Sequence, residues 1–252
     1  MDMDDRFANG AYIAGAGDYP EKWAGLAAAF RDNTRCELDV AYGPTARQKM
    51  DIFYPEGTPL GVVMFVHGGY WLAFDKSYWS HLATGPLAHG WAVAIPSYDL
   101  CPDVHVSEIT QQITGAAKFA AQRIDGPMRF AGHSAGGHLV ARLAGMDWHG
   151  RLDRVLPISP VSDLTPLLLT SMNAQLRLSA QEAFAESPVN MMPRAPVTVW
   201  VGGAERPVFL EQAQELADAW QCGMTVSPRE HHFNVIEPLA DSQSPIVRAL
   251  LS

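Results

Sequence analysis

Gly132-His133-Ser134-Ala135-Gly136 sets a serine between two glycines, each two residues away, where an apolar run (128–131) gives way to a helical pattern (135–144). A serine hydroxyl is a weak nucleophile until a neighbouring base takes its proton. A chain that turns from strand straight into helix holds such a hydroxyl clear of the sheet edge, in the pattern G-x-S-x-G. The flanking glycines suit a turn with no room for side chains. The helix that starts there favours negative charge developing at its N-terminus. The five-residue pattern is weak by itself, and its strand–turn–helix setting gives it weight.

His67-Gly68-Gly69-Tyr70-Trp71 directly follows a second apolar run at 61–66. In G-x-S-x-G hydrolases the corresponding loop supplies oxyanion-binding amides. Two glycines let backbone N–H groups approach a carbonyl oxygen with no Cβ in the way. The expected donors are Gly68 and Gly69 together with Ala135. The alternative is a plain glycine turn, which the downstream serine makes less attractive. His67 reads as a residue that fixes the loop. Tyr70 and Trp71 are expected to contact substrate, although packing of the loop explains them equally well.

A base and an acid complete the set, in the chain order serine, acid, histidine. Glu205, in the loop 202–207 after an apolar run, is the expected acid. Asp163 is the alternative and reads better as a helix cap. His231 and His232 compete for the base, and His232 is preferred because Phe233-Asn234-Val235 returns the chain to packing. Such a set performs acyl transfer: the histidine deprotonates Ser134, the oxyanion is held by amides, and water later releases the acyl group. No metal or organic cofactor is required. Arg206 and Arg229 lie in nearby loops, but nothing in the sequence puts either beside a substrate.

Taken together, HGGYW at 67–71, Pro96-Ser97-Tyr98-Asp99-Leu100, GHSAGGHL at 132–139 and HHFNVIE at 231–237 resemble the kynurenine formamidase (arylformamidase) branch of the hormone-sensitive-lipase-like α/β-hydrolases. The likeness spans about 48–237. It implies an α/β-hydrolase fold, a family serine at Ser134, oxyanion glycines at Gly68 and Gly69, and a family histidine at His232. The family acid is usually Asp, whereas the matching position here is Glu205. It also implies a small-molecule ester or amide substrate, N-formylkynurenine first. The alternatives are a small-acyl carboxylesterase or thioesterase and, from another class, a binding protein on the same fold without catalysis.

These residues need elements to position them. Short apolar runs alternate with helical patterns, the sign of a mostly parallel sheet flanked by helices. Strands are expected at 35–41 and 48–54, paired as an antiparallel hairpin about Gly43-Pro44-Thr45. Further strands are expected at 61–66, 91–96, 128–131, 154–158, 196–201 and 224–227. Helices are expected at 77–89, 106–123, 135–144, 207–220 and 246–252. The stretch 162–192 breaks the rhythm and reads as two short helices forming a small lid within a single domain, 1–252. Met172, Met191 and Met192 bracket it, as core fillers or as an adaptable apolar wall.

The net charge of −9 repels phosphate backbones and anionic lipid, which argues against nucleic-acid and membrane partners. Three scattered cysteines, Cys36, Cys101 and Cys222, form neither a disulfide framework nor a zinc site. The acidic start, Met1 to Arg6, lacks the apolar run of a signal peptide, so a cytoplasmic location is expected. A homo-oligomer is left open.

Overall fold

The computed structural model describes residues 2–252. In chain order the main elements are α1 (Met3–Phe7), α2 (Tyr19–Asp32), β1 (Cys36–Ala41), β2 (Lys49–Phe53), β3 (Val62–Val66), α3 (Thr84–Ala88), β4 (Ala92–Pro96), α4 (Val106–Arg123), β5 (Met128–His133), α5 (Ala135–Ala144), β6 (Leu152–Ile158), α6 (Asn173–Leu176), α7 (Ala180–Glu186), β7 (Thr198–Gly202), α8 (Pro207–Trp220), β8 (Gly223–Ser227) and α9 (Pro245–Leu251). The eight strands form one sheet in the order β1-β2-β4-β3-β5-β6-β7-β8. β1 pairs antiparallel with β2, and β2 with β4. Every other pairing is parallel.

Alternation along the strands builds two apolar layers. Val62, Met64 and Val66 of β3 share one buried layer with Ile109 of α4, Leu139 of α5 and Phe209 of α8. Val63 and Phe65 face the opposite side, with Trp23 of α2 and Ile246, Val247 and Leu250 of α9. Strands buried on both faces read as continuous apolar runs, which is why β3, β4 and β5 are so visible in sequence. Among the described residues no helix is long and apolar enough to cross a membrane.

One expectation needs correction, and one element lies outside those expected. The helix expected at 77–89 is two 3₁₀ turns, Lys76–Tyr78 and Ser80–Ala83, followed by the short α3. Pro86 within α3 has no N–H to extend a longer helix, and a Cβ at Gly85 would strike the Leu239 carbonyl. α2, which sequence analysis passed over, was signalled by Pro20 in its first turn and by Trp23 and Ala27 on one face.

Segment 162–192 holds two 3₁₀ turns, Thr165–Leu169 and Pro188–Asn190, besides α6 and α7. Ser179 caps α7 by accepting from Glu182 N at 3.0 Å. The Glu182 carboxylate instead reaches Ser107, 2.9 Å from its Oγ, and ties α7 to the start of α4.

Candidate active site

β3, β5, β7 and β8 run parallel, so the loops that leave their C-terminal ends gather along one sheet edge. Ligands of open α/β sheets bind at that edge. Ser134 leaves β5 at φ 55°, ψ −117° and α5 begins at the next residue. That conformation is strained for a residue with a side chain, and strain of this kind clusters at functional sites. The surroundings enforce it. A Cβ at Gly132 would overlap the Gly136 carbonyl, and one at Gly136 would overlap the carbonyls of Val66 and His67. The turn is therefore clamped against the end of β3, and both glycines are sterically required.

His232 Nε2 lies 3.0 Å from Ser134 Oγ, and His232 Nδ1 lies 2.5 Å from Glu205 Oε2. The carboxylate can only accept, so the proton sits on Nδ1 and Nε2 offers its lone pair to the serine hydroxyl. Ser134 is 2% and His232 4% exposed, and the Glu205 side chain is fully covered. Glu205 Oε1 accepts from Gly202 N at 2.8 Å and from Ser159 Oγ. Both carboxylate oxygens are thus engaged and the side chain is held in one orientation. Ser159, in the loop after β6, was not singled out in sequence; a single serine in an unremarkable loop carries no signal.

The structure separates the candidates that sequence left in competition. His231 turns its Nε2 toward Tyr19 Oη, 3.1 Å away, and burial lowers its pKa. The His232 ring packs against Phe209 and His133 at centroid distances of 4.2 and 4.7 Å. Val235 and Ile236 then enter the core. The Asp163 carboxylate accepts from Thr165 N at 2.8 Å and from Ser187 Oγ at 3.3 Å, a local cap rather than a partner of His232. Arg229 is exposed.

Gly68 packs so closely on the serine turn that a Cβ there would lie 3.0 Å from Ser134 Cβ. Gly69 has φ 113°, open only to glycine without strain. Among the described residues the amides of Gly68, Gly69 and Ala135 have no backbone acceptor, so three donors remain free in the two loops that meet at Ser134. His67 holds the loop, with its Nδ1 2.7 Å from the Gly68 carbonyl oxygen and its ring stacked 4.3 Å from Tyr98. Complete burial lowers its pKa to about 4 and keeps it neutral.

A cavity of about 390 Å³ opens on Ser134 and His232. Trp23, Tyr70, Phe74, Trp79 and Phe233 give it aromatic walls, and Phe7 to Gly10 close it from the N-terminal side. Tyr70 lines it and donates its hydroxyl to the Phe7 carbonyl at 2.8 Å. Trp71 does not line it. Its ring is wholly buried, edge-on to His138 at 5.0 Å, because the left-handed backbone at 70 and 71 sends the two side chains opposite ways. The expectation that Trp71 contacts substrate is corrected accordingly. From segment 162–192 only Met172 reaches the cavity; Met192 is 65% exposed, and Met191 lies 3.1 Å from Arg142 Nη1. Among the described residues no group of three or more His, Cys, Asp or Glu side chains is arranged to hold a metal ion.

The sheet order and this serine-centred edge define an α/β-hydrolase, an enzyme of the carboxylesterase and arylformamidase type. Residues 50–220 match the BD-FAE family model, and the chain belongs to that family. It is 30% identical over 239 residues to the kynurenine formamidase of Salmo salar, covering 85% of this chain and 80% of that protein. A crystal structure from Silicibacter sp. TM1040, provisionally called a thioesterase, superposes with a TM-score of 0.98 at 56% identity over the full length of both chains. The thermophilic carboxylesterase EstE1 shares the fold alone, with a TM-score of 0.72 at 19% identity over 92% of this chain and 95% of that one.

Proposed function

We propose that Ser134 is the nucleophile, His232 the general base and Glu205 the orienting acid of an acyl-transfer site. Gly68, Gly69 and Ala135 provide its oxyanion amides. The preferred substrate is a small acyl group on an aromatic leaving group, with N-formylkynurenine the first candidate. One observation carries the substrate reading: the cavity beside Ser134 is walled by six aromatic rings, those of Phe7, Trp23, Tyr70, Phe74, Trp79 and Phe233. Such rings hold an aryl group by edge and face contacts, each adding roughly 0.5–1.5 kcal/mol beyond burial. Formyl is the smallest acyl group and asks little space on the other side of the serine.

His232 Nε2 takes the Ser134 proton as Oγ attacks the carbonyl carbon, and the free amides hold the oxyanion. The imidazolium then protonates the leaving nitrogen or oxygen and its bond to the acyl carbon breaks. Water, deprotonated by the same imidazole, attacks the acyl-enzyme and Ser134 regains its proton. Glu205 keeps the imidazole in the required tautomer and faces its positive charge.

A small-acyl esterase or thioesterase is the second reading. None of the residues lining the cavity is Asp, Glu, Lys or Arg, so an uncharged ester fits the cavity as it stands. The measurement that separates the two is kcat/KM for N-formylkynurenine against p-nitrophenyl acetate and butyrate. The formamidase reading expects the formyl amide to win despite its poorer leaving group. Esters ahead by a hundredfold, about 2.7 kcal/mol in transition-state binding, would displace it. Three unpaired cysteines suit the reducing cytoplasm, which is the location proposed.

A further inference from the structure

A second cavity, of about 190 Å³, adjoins the site and is lined by Asn9, Tyr12, Arg206, His231 and His232 among others. Asn9 and His232 belong to both cavities and form their common wall. Two of its lining residues each carry a polar atom that is buried without a partner: the acceptor Oδ1 of Asn9 and the donor Nε of Arg206. Asn9 is only 5% exposed. Its amide orientation follows from its neighbour. Tyr70 gives its proton to the Phe7 carbonyl, so only the Asn9 NH₂ group can face the Tyr70 oxygen, 3.5 Å away. Oδ1 therefore points elsewhere.

The Arg206 guanidinium is anchored from two sides. Its Nη2 donates to the Asp5 carboxylate at 2.9 Å and to the Asp5 carbonyl at 3.0 Å, and its Cζ lies over the Tyr12 ring, 3.6 Å from the centroid. These contacts leave Nε unused. Burying a donor and an acceptor unpaired is unfavourable, and a ligand carrying the complementary pair removes that cost. An α-amino acid carries that pair: a carboxylate that accepts and an ammonium that donates.

We propose that this second cavity is the subsite for an α-amino-acid group on the substrate's leaving group. Arg206 Nε donates to its carboxylate and Asn9 Oδ1 accepts from its ammonium. The proposal rests on the arylformamidase reading above and supplies the hydrogen-bonding partners that the aromatic cavity lacks. Its position follows from the chemistry. His232 protonates the leaving atom, so the leaving group lies on the His232 side, and His232 is the wall beyond which Asn9 and Arg206 wait. In kynurenine the amino-acid chain is attached ortho to the reacting nitrogen, on the ring carbon adjacent to the one that bears it, which directs it past that wall.

The test uses hydrolysis of p-nitrophenyl acetate as reporter and two competing inhibitors, L-kynurenine and 2-aminoacetophenone. The second has the same aromatic amino ketone without the amino-acid end. The subsite expects kynurenine to inhibit at least tenfold more tightly in the parent, and Arg206→Met and Asn9→Leu each to cut that preference by about tenfold. The ratio of inhibition constants does not depend on a variant's own turnover rate. Parent enzyme that fails to distinguish the two inhibitors overturns the proposal even if neither variant folds, and so does a preference that survives both substitutions. Absence of N-formylkynurenine turnover would count against the formamidase reading instead, since the inhibitor ratio is measured on an ester.

Discussion

At the scale of single residues, the site is a line of hydrogen bonds from Ser159 and Gly202 through Glu205 and His232 to Ser134. Ser134→Ala is expected to lower kcat by about 10⁶ with the fold intact, the typical loss for a triad nucleophile. A fluorophosphonate probe should label the parent and spare the variant. Activity within tenfold of the parent would remove Ser134 from its role. Glu205→Gln should cost roughly 10³–10⁴ in kcat, because a neutral amide no longer holds the imidazole tautomer. Asp163→Asn should stay within about threefold, its carboxylate serving Thr165 and Ser187. A larger loss at Asp163 than at Glu205 would reverse the assignment. Ser159 and Gly202 hold Glu205 Oε1, so the methylene by which Glu exceeds Asp adds no freedom.

At the scale of elements, the serine turn shows how far a local pattern depends on its surroundings. Gly136 and Gly115 both lie in helices, α5 and α4, yet their environments are opposite. A Cβ at Gly136 would enter the carbonyls of Val66 and His67, whereas one at Gly115 meets nothing within 4 Å. Gly136→Ala is therefore expected to destabilise the protein by about 1–3 kcal/mol and to impair turnover at least tenfold, by pushing the turn off the end of β3. Gly115→Ala should stabilise by about 0.5–1 kcal/mol through helix propensity alone. Thermal unfolding of the pair checks both signs, and equal shifts would refute this account of the turn. The cover of the aromatic cavity also belongs at this scale. Segment 162–192 was expected to form it, but α1 and the residues after it do most of that work. They are docked by Asp5 on Arg206, Arg6 on Glu211 and Asp4 on Ser171. No sequence period foretells those pairings.

At the scale of the whole molecule, several histidines are buried neutral. Burial lowers His67 to about 4 and His138 to about 3, while His133 is pushed well below its ordinary value. An unfolded histidine titrates near about 6.5. As pH falls below that, the unfolded chain takes up protons the folded chain refuses, so stability is full above about 6.5 and declines toward pH 4. Each such histidine contributes a slope of about 1.4 kcal/mol per pH unit. His67 and His138 together thus remove several kcal/mol by pH 4, against a typical domain stability of about 5–15 kcal/mol. Urea midpoints should fall steeply across that window, and His138→Gln should flatten the fall while its amide keeps a bond to the Glu186 carbonyl, now 2.8 Å from Nε2. A midpoint that is level from pH 6.5 to 4 would contradict this burial.

The sequence alone determined the parts whose cause is local. G-x-S-x-G and HGG were legible because glycines there answer to clashes within a few ångströms, and β3, β4 and β5 because two-sided burial leaves an uninterrupted apolar run. The meeting of Ser134, Glu205 and His232 at one sheet edge was legible because parallel strands deliver successive loops there. What lay outside its reach depends on residues far apart in the chain. Ser159 meets Glu205 across 46 positions, Asp5 meets Arg206 across 201, and Tyr19 draws His231 away from the serine across 212. The opposed directions of Tyr70 and Trp71 depended on two consecutive left-handed residues, a conformation that tertiary packing imposes against local preference. Which rings face the substrate was decided only when α1, α2 and the loops after β3 and β8 closed over one cavity, because contacts between distant segments leave no period or spacing to read.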